Sequence, residues 1–410
     1  MKYLYFFLVL FISKPLLAHE NNSEFIIVVS QDRSPITFSA NTQSSFEVDW
    51  HNDGVWEKVT TTGMEEISHE FEGELDTIRI RGELNHFYAP RNIVDVVQWG
   101  GVHFTSMFKT FKSCTKLKKF SATDVPDLSS VTDMTQMFYG ATSFNGDLSN
   151  WDVSSIVKMG SMFSRASSFN GDLNDWDVSS VVTMGRMFAE ASSFNGNLSN
   201  WDVSSVGYMG WMFFKAYSFN SDISNWDVSS VGYMGWMFNQ ASSFNDDLSQ
   251  WEIFKVKSMV SMFEGSDLST ENYDKLLEEW SMLSRLQNNV ELDVPSHYSS
   301  SGETGRQKLI DDFNWKINDH GEINSSSNAR SIMKSDALKG VSGSSISDLA
   351  GDIEWKLYDF SGQLIDRGLL TLQNGELFRW QNLQNQYQKA GILRVFDRNG
   401  NVSVIKFVKD

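Results

Sequence analysis

Residues 161–181 read SMFSRASSFNGDLNDWDVSSV, and closely similar lines recur before and after them at intervals of 25 residues. A fixed period of about 20 to 50 residues indicates a repeat array, in which each copy packs against its neighbours. The stretch 137–263 therefore decides the fold. Its apolar columns are the tryptophans Trp151, Trp176, Trp201, Trp226 and Trp251, the phenylalanines Phe144, Phe169, Phe194, Phe219 and Phe244, and a Met-Phe pair that begins at Met137, Met162, Met187, Met212, Met237 and Met262.

One repeat contains two different apolar spacings. Leu148, Trp151 and Val153 follow the L-x-x-L-x-L spacing that places a short strand on a leucine-rich-repeat turn. From Ile156 the spacing changes to three and four, which predicts a short helix, and the serines at 154–155 are good N-caps for it. Each repeat is therefore predicted to be strand, short helix and turn.

The run 161–181 resembles the short repeat of BspA-family leucine-rich-repeat surface proteins, and the resemblance extends over about 93–321. It implies a bacterial surface or secreted protein with a binding role, often an adhesive one. Ligands vary within that family, so the resemblance implies no particular ligand. Irregular caps are expected at both ends of such an array, because terminal repeats must cover its core. We expect the C-terminal cap to begin with a helix capped by Ser269 or Thr270.

The sequence as a whole predicts an α+β protein, in which a leucine-rich-repeat-like solenoid is flanked by N- and C-terminal β-sandwich domains. Residues 46–54 resemble the small β-sandwich that precedes such repeats, although their turn contains one extra residue. The predicted segments are a signal peptide at 1–18, an N-terminal β-sandwich-like domain at 19–92, the solenoid with its caps at 93–321, a linker at 322–347 and a C-terminal β domain at 348–410.

Both ends of the chain carry signs of export. Lys2, an apolar run at 3–12 and a small residue at Ala18 form a secretory signal pattern, with cleavage expected before His19. That run is too short to cross a membrane, and no other transmembrane segment is predicted. Residues 357–364 with 390–394 resemble a type IX secretion sorting domain, which implies a secreted or outer-membrane-associated location. A plain β-sandwich without an export role is the alternative.

Composition narrows the range of partners. The 410 residues carry a net charge of −18, and removal of residues 1–18 would take it to −20. Such a charge disfavours nucleic acid and anionic membrane surfaces as partners. The single cysteine, Cys114, excludes an internal disulfide framework, and it is either a small buried residue or a reactive thiol.

No catalytic motif is recognisable. None of the seven histidines has a partner within the repeats, and no H-E-x-x-H, G-x-S-x-G or phosphate-binding loop is present. The sequence therefore predicts a binding protein rather than an enzyme, with no obligatory cofactor.

An acidic column forms the first candidate site. Two unit charges about 4.8 Å apart in water repel by only about 0.9 kcal/mol, so the column could simply be solvated. It would also attract Ca²⁺ or a basic partner. Its members are Asp127, Asp152, Asp177, Asp202, Asp227 and Glu252.

Two further polar columns are predicted to serve the turns. In the first, Asn197 interrupts a series of aspartates at Asp147, Asp172, Asp222 and Asp247. The second is an asparagine ladder, expected inside the solenoid, at Asn145, Asn170, Asn195, Asn220 and Asn245. Asn170-Gly171 is expected to turn the chain, since both residues tolerate a left-handed backbone.

Aromatic residues form the second candidate site, at positions that are polar in other repeats. Lys158 and Ser161 occupy these positions in one repeat, and Thr183 and Arg186 occupy them in the next. Exposed aromatic clusters mark partner sites, although packing against a terminal domain is the alternative. The predicted partner-binding residues are Tyr208, Trp211, Phe214, Tyr217, Tyr233 and Trp236, with the first two expected on one helix face.

The sequence therefore favours an exported adhesin or scaffold that binds a protein or glycan at the cell surface through its solenoid. A calcium-dependent structural component of the cell surface or extracellular matrix is the alternative.

Overall fold

The structure is a computed structural model that describes residues 23–30, 35–41, 45–70 and 75–322, and the backbone of four later strands. The predicted signal peptide and all but the first residue of the predicted linker lie outside the described residues. The chain divides into two compact units, 1–322 and 323–410. The mixed, strand-rich content agrees with the predicted α+β class.

The first unit begins with two antiparallel sheets. A five-stranded sheet has the order β4-β3-β6-β1-β8, and a three-stranded sheet has the order β5-β2-β7. The rings of Phe25 in the first sheet and Phe87 in the second lie 5.3 Å apart, so the two sheets share a core. The strands are β1 (Phe25–Ser30), β2 (Ile36–Asn41), β3 (Ser45–Asp49), β4 (Glu57–Thr60), β5 (Met64–His69), β6 (Leu75–Gly82), β7 (His86–Tyr88) and β8 (Ile93–Gln98).

A buried carboxylate organises the turn after β3. Asp49 accepts hydrogen bonds from the backbone N–H groups of Asp53 and Gly54, which closes the turn around its extra residue. The same side chain pairs with Arg79 at 3.3 Å, and Arg79 also pairs with Glu24. Because all three charged side chains are buried, the cluster satisfies charges that would otherwise be costly to bury.

Strand β8 joins the sheets to the repeats. The sequence predicted that the solenoid begins at residue 93 and therefore includes this strand. In the structure the strand pairs with β1 in the five-stranded sheet. The backbone N–H groups of Ser121 and Ala122 donate to the carbonyl of Val96 in this strand, so the repeats also bond to it. The two predicted segments thus share one strand within a single compact unit.

Backbone hydrogen bonds stack the repeats in register. The N–H of Phe163 donates to the carbonyl of Met187 at 2.9 Å, and the N–H of Phe188 donates to that of Met212 at the same distance. Parallel bridges connect one position of every repeat, from Asp133 through Lys158, Thr183 and Tyr208 to Tyr233. The 25-residue sequence period is therefore the period of the stack.

The predicted strand and helix within each repeat are wrong. Residues 99–269 contain turns and isolated bridges, and no regular strand or helix lies between β8 and residue 270. The spacing of three comes from tight turns, as in the bond from the Ala166 N–H to the Phe163 carbonyl. Ser161 and Arg165 adopt left-handed conformations, with φ of 56° and 61°, which interrupt any helix. Asn170 and Gly171, which were expected to turn the chain, are not turn residues, and neither adopts a left-handed conformation.

The apolar columns form a continuous core. Phe138, Phe163 and Phe188 stack with ring centroids 5.4 and 5.6 Å apart and nearly parallel planes. The indole nitrogen of Trp201 donates to the Leu173 carbonyl of the preceding repeat at 2.7 Å, and Trp226 repeats this bond to Leu198 at 3.0 Å. The buried indole N–H groups of this column, from Trp176 to Trp251, thus find partners, as burial of a polar group requires.

Within the described residues, a strand alternates with a helix only in the C-terminal cap. It contains α1 (Thr270–Met282), β9 (Glu291–Asp293), α2 (Ser300–Phe313) and β10 (Lys316–Asn318), and β9 and β10 pair in parallel. Ser269 is the N-cap of α1, as predicted, because its side chain accepts from the N–H of Asn272. Trp280 continues the tryptophan column through a bond to the Leu248 carbonyl.

The second unit contains one antiparallel sheet of order β12-β11-β13-β14. Its strands are β11 (Gly351–Tyr358), β12 (Leu364–Leu372), β13 (Gly391–Phe396) and β14 (Val402–Phe407). Over the residues that the structure describes, neither helix has the length and apolar character needed to cross a membrane.

Candidate functional site

The aromatic residues lie on a face built from four positions of each repeat, which we call the ladder face. Backbone bonds align the positions from repeat to repeat, so residues 25 apart are neighbours. The four series are Asp133, Lys158, Thr183, Tyr208 and Tyr233; then Lys109, Gln136, Ser161, Arg186, Trp211 and Trp236; then Lys112, Tyr139, Ser164, Ala189, Phe214, Asn239 and Glu264; and finally Ser113, Gly140, Arg165, Glu190, Lys215 and Gln240.

Five of the six predicted partner-binding residues contact one another on this face. The rings of Tyr208 and Tyr233 stack at 5.2 Å, and Trp211 stacks on Tyr233 at 5.7 Å and on Trp236 at 6.4 Å. Phe214 meets Trp236 edge-on at 6.3 Å. We call these five residues and the neighbouring Tyr217 the aromatic patch. The expectation that Tyr208 and Trp211 share a helix face is wrong, because Tyr208 lies in an isolated bridge and Trp211 lies in a turn.

Glycines form the floor beneath the tyrosines. A Cβ atom on Gly185 would lie 2.4 Å from a ring carbon of Tyr208, and one on Gly210 would lie 2.7 Å from the Tyr233 ring. One on Gly235 would lie 2.5 Å from the Tyr233 hydroxyl oxygen. Only glycine leaves this room, so the tyrosines depend on it for close packing. Sequence reasoning missed this role, although the Gly-x-Met-Phe spacing was visible.

Two cations flank the patch and contact its rings. The Arg186 guanidinium lies 4.7 Å from the Trp211 centroid, and the Lys215 ammonium lies 5.1 Å from that of Phe214. Such contacts contribute about 0.5–1 kcal/mol each at exposed sites. The contact between Arg186 and Trp211 depends on the register of the stack, which makes residues 25 apart into neighbours, whereas Lys215 and Phe214 are adjacent in the sequence.

The patch is partly open to solvent. Tyr208 is 37 % exposed and Tyr217 is 46 % exposed, whereas the tryptophans and Phe214 are half-buried. Within the described residues, the ring contacts of the patch are mutual or with the two flanking cations. Five of the six side chains are thus held by contacts with one another, and Tyr217 lies beside them.

The acidic column has a local structural role. Oδ1 of Asp152 accepts from both the N–H and the hydroxyl of Ser154, at 3.1 and 2.6 Å, and Asp177 makes the same pair of bonds to Ser179. The bonds from Ser154 lower the pKa of Asp152. Serines in the same relation lower the pKa of Asp127 and Asp202. These carboxylates are exposed and held in the ionised form, with Oδ1 engaged in the turn.

Metal binding at this column stays a prediction. Across the described residues, no group of three or more His, Cys, Asp or Glu side chains is placed to hold a metal ion. At Asp127 the second oxygen is engaged, because His103 Nδ1 lies 3.1 Å from Oδ2.

His103 corrects the expectation that no histidine has a partner in the repeats. Its Nε2 lies 2.9 Å from Ser130 Oγ while its Nδ1 faces Asp127, so the three follow the order of a hydrolytic triad. Half of the His103 and Asp127 side-chain surface is exposed, whereas such triads bury the carboxylate. The corresponding Ser155 hydroxyl donates to the carbonyl of Leu128, so the serine position is structural in the next repeat.

Both remaining polar columns serve the turns. Asp147 and Asp222 accept from the N–H two residues later at 2.9 and 3.0 Å, and Asn197 does the same at 3.0 Å, as predicted. In the asparagine ladder, Oδ1 of Asn170 accepts from the N–H of Asn195 at 2.8 Å, and the other members repeat this bond. This asparagine ladder, which is separate from the ladder face, lies at the surface rather than inside the stack.

Cys114 is buried, and burial raises its pKa to about 12. At neutral pH it is therefore a thiol with little nucleophilic character, which supports the prediction of a small core residue.

A known protein family matches the repeat region of the chain. Residues 105–216 and 197–291 match a family model described as "Mycoplasma protein of unknown function, DUF285". The matched segments cover less than half of the chain. The match is consistent with a BspA-like repeat protein. A comparison with curated proteins finds no match.

Proposed function

We propose that the chain is an exported bacterial surface protein that binds a protein or glycan ligand through the aromatic patch. In this proposal the stacked repeats form a leucine-rich-repeat-like solenoid between β-sandwich domains, and the C-terminal sheet acts in sorting. The observation that carries the proposal is the position of the patch. Two consecutive repeats place Tyr208, Trp211, Tyr233 and Trp236 where their neighbours place polar side chains.

Partly exposed aromatic side chains contribute less to the free energy of folding than buried ones. Trp and Tyr, however, dominate the binding energy of many protein interfaces. The rings are also held by stacking and by the glycine floor, so little side-chain entropy remains to be lost on binding. A preformed aromatic surface of this kind suits recognition of a partner.

The test is a binding screen of the mature protein against glycans and extracellular-matrix proteins. The variant carries Tyr208→Thr, Tyr233→Thr, Trp211→Ser and Trp236→Ser, which are residues that other repeats hold at the same positions. We expect its binding to fall at least tenfold while its melting temperature changes by a few degrees at most. Undiminished binding by the folded variant would exclude the patch as the site.

The structural, calcium-dependent role is the second candidate. The observation that favours it is the lowered pKa of Asp127, Asp152 and Asp202, which keeps these carboxylates ionised. Oxygen-rich anionic surfaces attract Ca²⁺. Thermal melting with calcium and with chelator tests it: a shift of several degrees supports a structural metal, and identical curves reject it.

A further inference from the structure

The ladder face has the opposite charge balance to the chain as a whole. Between residues 106 and 265 its four series hold six cations and three carboxylates, although the chain carries a net charge of −18. The cations are Lys109, Lys112, Lys158, Arg165, Arg186 and Lys215, and the carboxylates are Asp133, Glu190 and Glu264. The face is thus positive overall, and two of its cations, Arg186 and Lys215, flank the aromatic patch.

Four of these cations have no carboxylate partner in the part of the chain that the structure describes. Lys109, Arg186 and Lys215 lie over aromatic rings instead, at 4.4, 4.7 and 5.1 Å from the centroids. Lys112 lies over Tyr139 and donates to a glutamine. The pKa of Lys112 is lowered by desolvation and by its neighbours Lys109 and Arg91, as expected where like charges gather. These four cations therefore have no counter-charge on the face, whereas Lys158 and Arg165 pair with Asp133 and Glu190.

The acidic column carries negative charges that could balance these cations, at a different position of each repeat. Asp152, Asp177, Asp202 and Asp227 are exposed, and Oδ1 of each is engaged with the serine two residues later. The column also borders a shallow depression of about 330 Å³, lined by Asn174, Asp175, Asp177, Asn200 and Asp202.

The two surfaces have the same spacing. Successive carboxylates and successive rows of the ladder face are separated by one repeat, because both belong to one 25-residue stack. When two stacks lie alongside each other, every row can therefore meet a carboxylate without any mismatch accumulating. Other acidic partners would match this spacing only by coincidence.

We infer that the ladder face binds the acidic column of a second copy of this chain. The inference deepens the proposed function, because it assigns a partner to the same aromatic patch. The composition favours a protein partner, since Trp, Tyr and Arg are the residues that most often dominate protein interfaces. Because the two surfaces differ, the contact is heterologous, and repetition would produce open chains of molecules.

The net negative charge opposes association, but only at long range. At physiological ionic strength charges separated by more than about 8 Å are largely screened, so close opposite pairs outweigh distant like charges. In sedimentation velocity at about 0.15 M salt we expect the weight-average sedimentation coefficient to rise with protein concentration.

Two variants separate the surfaces. The acid-column variant carries Asp152→Asn, Asp177→Asn, Asp202→Asn and Asp227→Asn. It retains the turns, because Asn197 accepts the equivalent backbone bond in the parallel column. The face variant carries Arg186→Ser, Trp211→Ser and Lys215→Gln, which place residues of other repeats at these positions.

Each variant alone should associate at least tenfold more weakly than the parent chain. An equimolar mixture should form a one-to-one dimer, because each variant retains the surface that the other lacks. A concentration-independent monomer for the parent chain, or a mixture no more associated than its components, would overturn the inference. Ligand binding by a monomeric parent chain that is lost in the four-residue patch variant would leave the proposed function intact, so the two failures are distinguishable.

Discussion

At the scale of single residues, short polar side chains hold the turns while the apolar columns hold the stack. Asp152 and Asn197 both use Oδ1 to accept a backbone N–H two residues later. The sequence predicted this role for the column that contains Asn197, because asparagine could replace aspartate there. In the column of Asp152 no asparagine replaces a carboxylate. The turn role was therefore not recognised there, and the column was predicted as a possible metal site.

Asp152 should make folding stability depend on pH. Its pKa is lowered by the hydrogen bonds from Ser154. A carboxyl group whose pKa is lower in the folded state contributes stability above its unfolded pKa of about 3.9 and loses it as the pH falls towards the folded value. Asp152→Asn should therefore reduce the change in melting temperature between about pH 5 and pH 2.

The converse substitution is a matched control. Asn197→Asp introduces a carboxylate where Asp147 and Asp222 already have a lowered pKa. It should increase the loss of stability over the same acid range. If both variants melted with the pH dependence of the parent chain, these turn carboxylates would not contribute to acid sensitivity.

At the scale of one repeat, the sequence predicted which side chains are buried but not the backbone conformation that buries them. Met159, Met162, Phe163, Ala166 and Phe169 are all buried, as predicted. A spacing of three and four is shared by helices and by consecutive tight turns, so it could not distinguish them. The left-handed positions were also hidden, because most repeats place polar, charged or aromatic side chains there. Glycine occupies one such position only at Gly140 and Gly265, in terminal repeats.

The glycine floor gives a prediction at this scale. In Gly210→Ala the new methyl group would lie 2.7 Å from the Tyr233 ring and 2.8 Å from the Tyr208 hydroxyl oxygen, so both rings must move outward. We expect destabilisation of about 1 kcal/mol in urea unfolding, at the lower end of overpacking effects because the rings are partly exposed. Ligand binding through the patch should weaken as well.

Gly160→Ala is the control for this prediction. Its methyl group would meet only a backbone oxygen at 3.7 Å and a threonine methyl group at 3.9 Å, which are ordinary contacts. Its stability should stay within a few tenths of a kcal/mol of the parent chain. Equal effects of the two alanines would show that the tyrosines do not rest on Gly210.

At the scale of the whole molecule, periodicity predicted the extent of the stack but not its junctions. The period is lost before Met134, which is why β8 was assigned to the repeats and the partner of His103 was missed. The C-terminal cap was easier to predict, because Tyr273, Leu276, Leu277 and Trp280 show helical spacing in a single run. Charge segregation between the ladder face and the acidic column appears only when the repeats are aligned.

Hydroxyl-radical footprinting of the mature protein, read by mass spectrometry at each aromatic residue, tests most directly whether the aromatic patch is a free surface. Tyr208 and Tyr217 should be oxidised readily and Trp211 and Trp236 to an intermediate degree, whereas the column tryptophans Trp201 and Trp226 are 3 % exposed and should be protected. At a protein concentration where the chain is monomeric, patch residues as protected as the column tryptophans would mean that another part of the chain covers the patch, and would contradict its assignment as the binding site.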